Sequence, residues 1–256
     1  MKERRRIERE FGVPIAGEVL EPEHWAQTAV KRLPPDGRLD WHQVFGRRAP
    51  IVLDVGCGNG RYLIGSAVWR TGHDHLGIDI LPVVIRYATR RGNQRGLTNL
   101  RFAVIGGREF LERFVEPGTV AEIHCYHPQP FYDPARVRQR LITPEFLALV
   151  HRALEPGGLF FTQTDNPGYW RYIREVVPVF FDFHDQPGPW PDGPKGRTRR
   201  EIIALRRGLP VFRGWGQART GLTEAEGIRL AAALPPPRFD ADRRLRELDA
   251  LETSHD

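Results

Sequence analysis

Cysteines and long hydrophobic runs are both scarce in this chain of 256 residues. Cys57 and Cys125 are its only cysteines, which is too few for a disulfide framework, and neither lies in a spacing typical of metal ligands. No apolar run reaches the roughly 20 residues that span a bilayer, and the charged residues 1–6 lack the apolar core of a signal peptide. We therefore expect a cytoplasmic protein without a membrane segment or a bound metal.

Lysine is nearly absent as well, although the chain is basic. The net charge is +6 and the isoelectric point is about 9.7. Lys2, Lys31 and Lys195 are the only lysines, so arginine carries almost all of the positive charge. Arginine binds phosphate through its planar guanidinium and stacks on bases, which suits an RNA partner. An arginine-rich composition can also reflect nucleotide bias in a genome, and charge alone leaves both interpretations open.

The rest of the composition is typical of a folded enzyme, because 40% of the residues are hydrophobic and 10% are aromatic. From residue 49 onward, short β-branched runs alternate with segments of helical character. The alternation predicts an α/β fold, in which a mainly parallel sheet has helices on both faces. The predicted strands cover residues 51–55, 75–80, 100–105, 120–126, 159–164 and 210–217.

Helices are predicted between and around these strands. They cover residues 23–32, 41–45, 61–70, 82–91, 108–114, 144–154 and 169–177, while residues 197–208 are predicted to be helical or irregular. We divide the chain into an N-terminal extension (1–38), one α/β domain (39–221) and a charged C-terminal tail (222–256). The extension is expected to order partly on the domain or on a partner, and the tail to be helical or disordered.

An acidic, glycine-rich loop follows the first predicted strand and reads Asp-Val-Gly-Cys-Gly-Asn-Gly from Asp54 to Gly60. Glycines allow a tight turn and a close approach to a ligand. The spacing is Gly-x-Gly-x-Gly and Asp54 adjoins it, so the loop suits the amino group and sulfonium of S-adenosylmethionine better than a pyrophosphate. Asp79 ends the second strand and can accept hydrogen bonds from both ribose hydroxyls. The predicted cofactor-binding residues are Asp54, Gly56, Gly58, Gly60, Asp79, Ile80 and Gly106, and a dinucleotide-dependent dehydrogenase is the alternative.

Further motifs follow the glycine loop in a distinctive order. His-Pro-Gln-Pro-Phe-Tyr begins at His127, and Arg-Gln-Arg-Leu-Ile-Thr-Pro-Glu-Phe begins at Arg138. Thr-Asp ends at Asp165, and Thr-Arg-Arg-Glu begins at Thr198. Over residues 39–217 this order resembles the bacterial tRNA (guanine-N7)-methyltransferase family, although no single motif is specific to it.

The resemblance implies a Rossmann-like class I methyltransferase that uses S-adenosyl-L-methionine and methylates N7 of a guanine in the variable loop of tRNA. The resemblance places Gln129 at the position of the family's catalytic aspartate. We expect a monomer or weak homodimer, although the sequence does not settle the oligomeric state. The predicted substrate-binding residues are Asp165, Thr198, Glu201, Arg138 and Arg140. Four more arginines flank the same region and are candidate phosphate contacts: Arg136, Arg197, Arg199 and Arg200.

The motif around Gln129 departs from the family pattern, because the family has an aspartate there, a tryptophan at Phe131 and a lysine at Asp133. Guanine N7 is an in-plane lone pair, so methyl transfer requires positioning rather than a general base. Gln129 can hydrogen-bond the base, although without the strength of a charged acceptor. Two alternatives therefore stay open: a methyltransferase with a shifted substrate, and a catalytically silent tRNA-binding homologue.

Overall fold

A computed structural model describes residues 6–35 and 37–253 of the chain, and nine strands form two sheets in these ranges. Strands β1 (Arg9–Glu10) and β2 (Val13–Pro14) form an N-terminal hairpin. The other seven strands form the central sheet. They are β3 (Ile51–Val55), β4 (Asp74–Asp79), β5 (Leu100–Val104), β6 (Val120–Tyr126), β7 (Leu154–Thr164), β8 (Phe181–Asp185) and β9 (Phe212–Ala218).

The α-helices of the described ranges match the predicted ones closely within the domain. They are α1 (Trp41–Phe45), α2 (Arg61–Trp69), α3 (Pro82–Gln94), α4 (Gly107–Arg113), α5 (Pro144–Ala153), α6 (Pro167–Val176), α7 (Arg199–Arg206), α8 (Glu224–Ala233) and α9 (Arg243–Thr253). Short 3-10 turns lie at Pro22–His24, Val137–Gln139 and Val177–Val179. Within the part of the chain that is described, no helix has both the length and the apolar character needed to span a membrane.

The central sheet has the strand order β5–β4–β3–β6–β7–β9–β8. β3, β4, β5, β6 and β7 pair in parallel, whereas β9 is antiparallel to both of its neighbours. The predicted mainly parallel sheet is therefore confirmed. The reversed direction of β9 and the existence of β8 were not predicted, because strand direction depends on pairing between residues far apart in sequence.

The centre of the sheet is β3, all five residues of which are buried. Ile51, Leu53 and Val55 contribute to one hydrophobic cluster with residues of α4, α5 and α6, and Val52 contributes to a second with residues of α2 and α3. Successive side chains of a strand point to opposite faces, so the two clusters lie on the two faces of the sheet. Full burial of one such aliphatic side chain contributes about 1.5–3 kcal/mol.

The N-terminal extension packs on the domain, and its predicted helix over residues 23–32 is wrong. This segment is instead extended beside β5: the backbone N–H of Val30 donates to the carbonyl of Phe102 at 2.8 Å, and the N–H of Phe102 donates to Thr28 at 2.7 Å. The edge of the sheet thus satisfies backbone groups that a helix would have paired locally. Further upstream, Glu8 forms ion pairs with Arg91 and Arg95.

The segment after residue 221 is folded over its described part, where α8 and α9 pack on the domain. Leu245 and Leu248 of α9 are each 2% exposed. The ring of Phe239 stacks on Tyr169 with 4.2 Å between the centroids. The described part of this tail thus contains two helices joined by a non-helical segment, and an apolar face of α9 packs on the domain.

Candidate active site

The glycine loop between β3 and α2 is tied to the end of β4. Gly56 and Gly58 have φ angles of 78° and 52°, a region that glycine enters without strain. The backbone N–H of Gly58 donates to Oδ2 of Asp79 at 3.0 Å, and the N–H of Leu81 donates to its Oδ1 at 3.0 Å. Asp79 is thereby fixed beside the loop, and each oxygen keeps lone-pair capacity for a further donor.

A cleft of about 1080 Å³ opens above this loop, large enough for a nucleoside cofactor and a second reactant. It lies at the carboxyl ends of the parallel strands, where ligands bind in open α/β sheets. Most of the residues predicted from the sequence line it together. They are Asp54, Gly56, Gly58, Asp79, Ile80, Gly106, Gln129, Asp165 and Thr198.

Gly60 was predicted to bind cofactor, but it does not line the described cleft and occupies a tightly packed position. Its φ is 75°, and a Cβ atom there would lie 2.9 Å from Cβ of Ala88 and 2.9 Å from Cζ of Phe102. These atoms belong to α3 and β5, not to the described lining of the cleft. Glycine at position 60 therefore lets α2 begin close to the sheet.

The electrostatics at Asp54 suit a cationic ligand. The residue is 2% exposed. Burial, followed by the negative charge of Asp79, raises the pKa of Asp54 to about 8, although Arg197 opposes the shift. A cation beside this carboxyl group would favour its charged form and offset both effects. The amino group of a methionine moiety meets that requirement, and so the donor set fits S-adenosylmethionine.

The loop after β6 carries backbone strain at two positions. His127 and Phe131 have φ angles of 50° and 35°, which non-glycine residues rarely adopt. The N–H of His127 donates to the carbonyl of Gln163 at 2.7 Å, and Arg136 lies over the ring of Phe131 at 4.5 Å. Strain of this kind persists where the surroundings hold it, commonly at functional sites. Gln129 lies between the two strained residues and lines the cleft.

Asp165 is a charged residue that lines the same cleft. Its Oδ1 lies 3.3 Å from Nδ1 of His127, and its Oδ2 accepts from Nε of Arg200 at 2.8 Å. Burial alone would raise the pKa of Asp165, but the hydrogen bond from His127 and the charge of Arg200 lower it to about 2. Asp165 is therefore a carboxylate at neutral pH.

Arg140 was predicted to bind substrate, and the structure corrects this. The residue is 4% exposed. Its guanidinium donates to the carbonyls of Pro130 at 2.6 Å and Pro237 at 2.7 Å, and also to those of Phe131 and Phe239. These bonds hold the strained loop against the C-terminal segment, and an RNA phosphate cannot reach the group.

Glu201 was also predicted to bind substrate, but it does not line the described cleft. It is fully buried, its Oε1 lies 2.5 Å from Nη2 of Arg213, and its Oε2 accepts from the N–H of Arg197 at 2.7 Å. Thr198, three residues earlier, lines the cleft while its hydroxyl accepts from the N–H of Glu201 at 3.1 Å, which caps α7. Of the predicted Thr-x-x-Glu pair, Thr198 therefore lines the cleft and Glu201 is buried.

The predicted arginines separate into exposed and buried groups. Arg136, Arg138 and Arg199 are exposed, and Arg136 and Arg199 line the cleft. Arg197 is held inside by a hydrogen bond to the hydroxyl of Tyr126 at 2.6 Å and by an ion pair with Asp192. The exposed arginines are the more accessible to a polyanion.

Sequence reasoning missed Tyr132, Asn166 and Asp249 as residues of the site. The hydroxyl of Tyr132 donates to Oδ2 of Asp249 at 2.8 Å and accepts from Nδ2 of Asn166 at 2.9 Å. Asp249 and Asn166 line the cleft. Asn166 directly follows the Thr-Asp motif, which is a signal that could have identified it, whereas the sequence around Asp249 resembles an ordinary charged helix.

With this geometry established, comparison with known proteins identifies the family. Residues 48–212 match a family described as "Putative methyltransferase". A tRNA (guanine-N(7)-)-methyltransferase of Alcanivorax borkumensis is 31% identical over 190 residues, which cover 74% of this chain and 79% of that protein. The chain belongs to the tRNA (guanine-N7)-methyltransferase family. The resemblance drawn from the motifs is therefore confirmed, and the cofactor is S-adenosyl-L-methionine.

Other relatives define the extent of this similarity. The enzyme of the same name from Arthrobacter sp. is 32% identical over 197 residues, and the match covers 75% of this chain but 61% of that longer protein. The crystal structure of the 16S rRNA methyltransferase KamB superposes with a TM-score of 0.55 at 17% identity, covering 75% of this chain and 98% of KamB. That likeness supports the class I methyltransferase fold.

Proposed function

We propose that this protein transfers the methyl group of S-adenosyl-L-methionine to N7 of a guanine in tRNA, and that this guanine lies in the variable loop. The observation that carries the proposal is the single cleft lined by the glycine loop, by Gln129 and by Asp165. A donor and an acceptor bound in one cleft meet without crossing solvent. Relatives that are 31–32% identical to this chain bear the name of that activity.

The cofactor side of the cleft is formed by Asp79 and Asp54. Asp79, fixed by the N–H groups of Gly58 and Leu81, is suited to accept from the ribose hydroxyls. Asp54, buried at the end of β3, is suited to the methionine amino group. S-adenosyl-L-methionine supplies an electrophilic methyl group on a positively charged sulfur.

The acceptor side needs to position guanine rather than to deprotonate it. The N7 lone pair is available at neutral pH, so the rate depends on alignment and on the charges around the base. Gln129 is suited to hydrogen-bond the base edge from the strained loop. Asp165, which lines the same cleft, supplies a fixed negative charge.

The RNA-binding surface is proposed to surround the mouth of this cleft. Arg136, Arg138 and Arg199 are exposed there or near it, on two different elements. Arginines that follow a phosphate backbone give a binding affinity that falls steeply with salt. We further propose that the enzyme works in the cytoplasm as a monomer or weak homodimer.

The direct test uses unmodified tRNA transcript and a donor labelled in its methyl group. We expect label at guanine N7, located by chemical cleavage at the methylated base, and no label on a transcript whose variable-loop guanine is replaced by adenine. An Asp79→Asn variant serves as the control for cofactor binding. Label at another base, or none at all, would contradict the proposal.

The substitution at position 129 favours one rival, a catalytically silent tRNA-binding homologue. A Gln129→Asp variant separates the two possibilities. If the parent is inactive and the variant methylates guanine, the parent is silent because of Gln129. If the parent is active, the amide is sufficient for catalysis.

A further inference from the structure

The C-terminal helix α9 contributes to the cleft although it lies outside the residues that match the family model. That match ends at residue 212, whereas α9 spans Arg243–Thr253. Asp249, near the middle of α9, is 9% exposed and lines the same cleft as Gln129 and Asp165. A charged side chain buried at a functional cleft requires a physical explanation.

The position of α9 is fixed by contacts on the segment that leads into it. Arg140 donates to the carbonyls of Pro237 and Phe239, and the Phe239 ring stacks on Tyr169. Tyr172 donates to the carbonyl of Pro235 at 3.0 Å. The segment that precedes α9 is therefore held against the domain by several independent contacts.

Asp249 connects α7 to the loop that follows β6. Its Oδ1 accepts from Nη2 of Arg200 at 2.6 Å, and its Oδ2 accepts from the hydroxyl of Tyr132 at 2.8 Å. Tyr132 belongs to the strained loop that carries Gln129. Arg200 belongs to α7 and also donates to Asp165 at 2.8 Å. One guanidinium thus lies between the carboxyl groups of Asp165 and Asp249. Burial raises the pKa of Asp249, and the positive charge of Arg200 opposes that shift.

A negative charge near the acceptor base suits methyl transfer to guanine N7. As the N7–methyl bond forms, the electrons of the sulfur–methyl bond stay on sulfur, and the positive charge passes from the sulfonium to the guanine. A fixed negative charge near the base stabilises the transition state, in which the guanine is partly positive. It stabilises the neutral guanine before transfer less. The family's aspartate at position 129 would supply such a charge, and Gln129 does not.

We propose that Asp249 is a positioning residue for methyl transfer, which holds Arg200 and the Gln129 loop in place and gives the acceptor side the carboxylate that position 129 lacks. The inference rests on the proposed function. It assigns to α9, an element outside the matched family region, a part in the chemistry rather than in stability alone.

The test measures kcat, KM for tRNA and cofactor affinity for Asp249→Asn, with Glu247→Gln as the matched control. Glu247 lies on the same helix but its side chain is 59% exposed and pairs with Arg243. We expect Asp249→Asn to lower kcat at least tenfold, about 1.4 kcal/mol. KM for tRNA should not rise, because loss of a negative charge does not weaken phosphate binding. Glu247→Gln should retain the parent kcat.

Two further variants keep the test decisive. Gln129→Asp added to Asp249→Asn should restore part of the lost kcat, since it returns a carboxylate to the acceptor side. Tyr132→Phe deletes the hydroxyl that bonds both Asp249 and Asn166 and should lower kcat several-fold. It carries the test if Asp249→Asn fails to fold, as judged by cofactor affinity and the thermal midpoint.

The possible results separate this inference from the proposed function. A parent that transfers no methyl group to guanine overturns both. An active parent with an equally active Asp249→Asn, or with a variant that changes only KM for tRNA, overturns this inference alone. A fall in kcat that Glu247→Gln shares also overturns it, because the effect would then belong to the helix and not to Asp249.

Discussion

Replacement of Gly60 by alanine tests whether this glycine serves packing or cofactor binding. Its φ of 75° places an alanine in the left-handed region, and the new Cβ would lie 2.9 Å from atoms of both Ala88 and Phe102. The left-handed conformation costs roughly 1–2 kcal/mol for a residue with a Cβ, and overpacking of a closed core costs about 1–3 kcal/mol. We therefore expect Gly60→Ala to lower the free energy of unfolding by about 2–5 kcal/mol.

Gly118→Ala is the matched control, because it isolates the backbone contribution. Gly118 has a φ of 70°, and a Cβ there would meet no atom within 4 Å. Its replacement should cost only the roughly 1–2 kcal/mol of the left-handed conformation. The difference between the two variants then measures the steric contribution at Gly60, since the effect of alanine on the unfolded chain is common to both.

Urea denaturation measures the free energy of unfolding, and calorimetry measures the affinity for S-adenosylhomocysteine. Gly58→Ala completes the set, because Gly58 lines the cleft and also has open space around its Cα. It should lose cofactor affinity while its stability falls only as far as in Gly118→Ala. Equal losses of stability in Gly60→Ala and Gly118→Ala would refute the packing argument. If Gly60→Ala weakened cofactor binding and lost no more stability than Gly118→Ala, Gly60 would be a cofactor-binding residue.

The remaining predictions concern charge. The pKa of Asp54 is raised to about 8 in the free protein, and a cationic ligand favours the charged form of this carboxyl group. Binding of S-adenosylhomocysteine at pH 7 should therefore release a proton. The affinity for this ligand should rise as the pH increases toward 8. Calorimetry in buffers of different ionisation enthalpy detects the proton, and Asp54→Asn should abolish its release. Arg140→Ala should lower the free energy of unfolding by about 3 kcal/mol, because it leaves buried carbonyls unpaired. Arg138→Ala should leave the free energy of unfolding unchanged but reduce the slope of log affinity for tRNA against log salt concentration by about one unit. If Arg138→Ala were instead destabilising and Arg140→Ala reduced the slope, the structural role of Arg140 and the phosphate-binding role of Arg138 would be exchanged.

Local patterns were sufficient to predict much of the fold. The first five strands of the central sheet were predicted because apolar β-branched runs end in turn residues, a signal contained in a few adjacent positions. The helix expected over residues 23–32 was wrong, since Thr28 and Val30 pair with the edge of β5. That competition between local and distant hydrogen-bond partners is not visible in a short window of sequence.

The cofactor side of the cleft was also accessible from the sequence, for a related reason. Asp54 and Asp79 end neighbouring parallel strands, so topology alone brings them to one edge of the sheet. The acceptor side was less accessible. Arg138 and Arg140 differ by two positions and share a motif, yet one is exposed and the other is buried among carbonyls.

The sequence by itself determined the family, the cofactor and most strands and helices of the α/β domain, because these depend on motifs and periodicities that each occupy a few consecutive residues. Only the tertiary structure decided which polar residues face the cleft and which hold the fold together. Tyr132 and Asp249 are 117 positions apart and meet in one hydrogen bond. The burial of Glu201 likewise depends on Arg213 and on the fold around it. Burial and pairing depend on long-range contacts. Which charged residues line the cleft and which stabilise the fold is therefore decided only when the chain has folded.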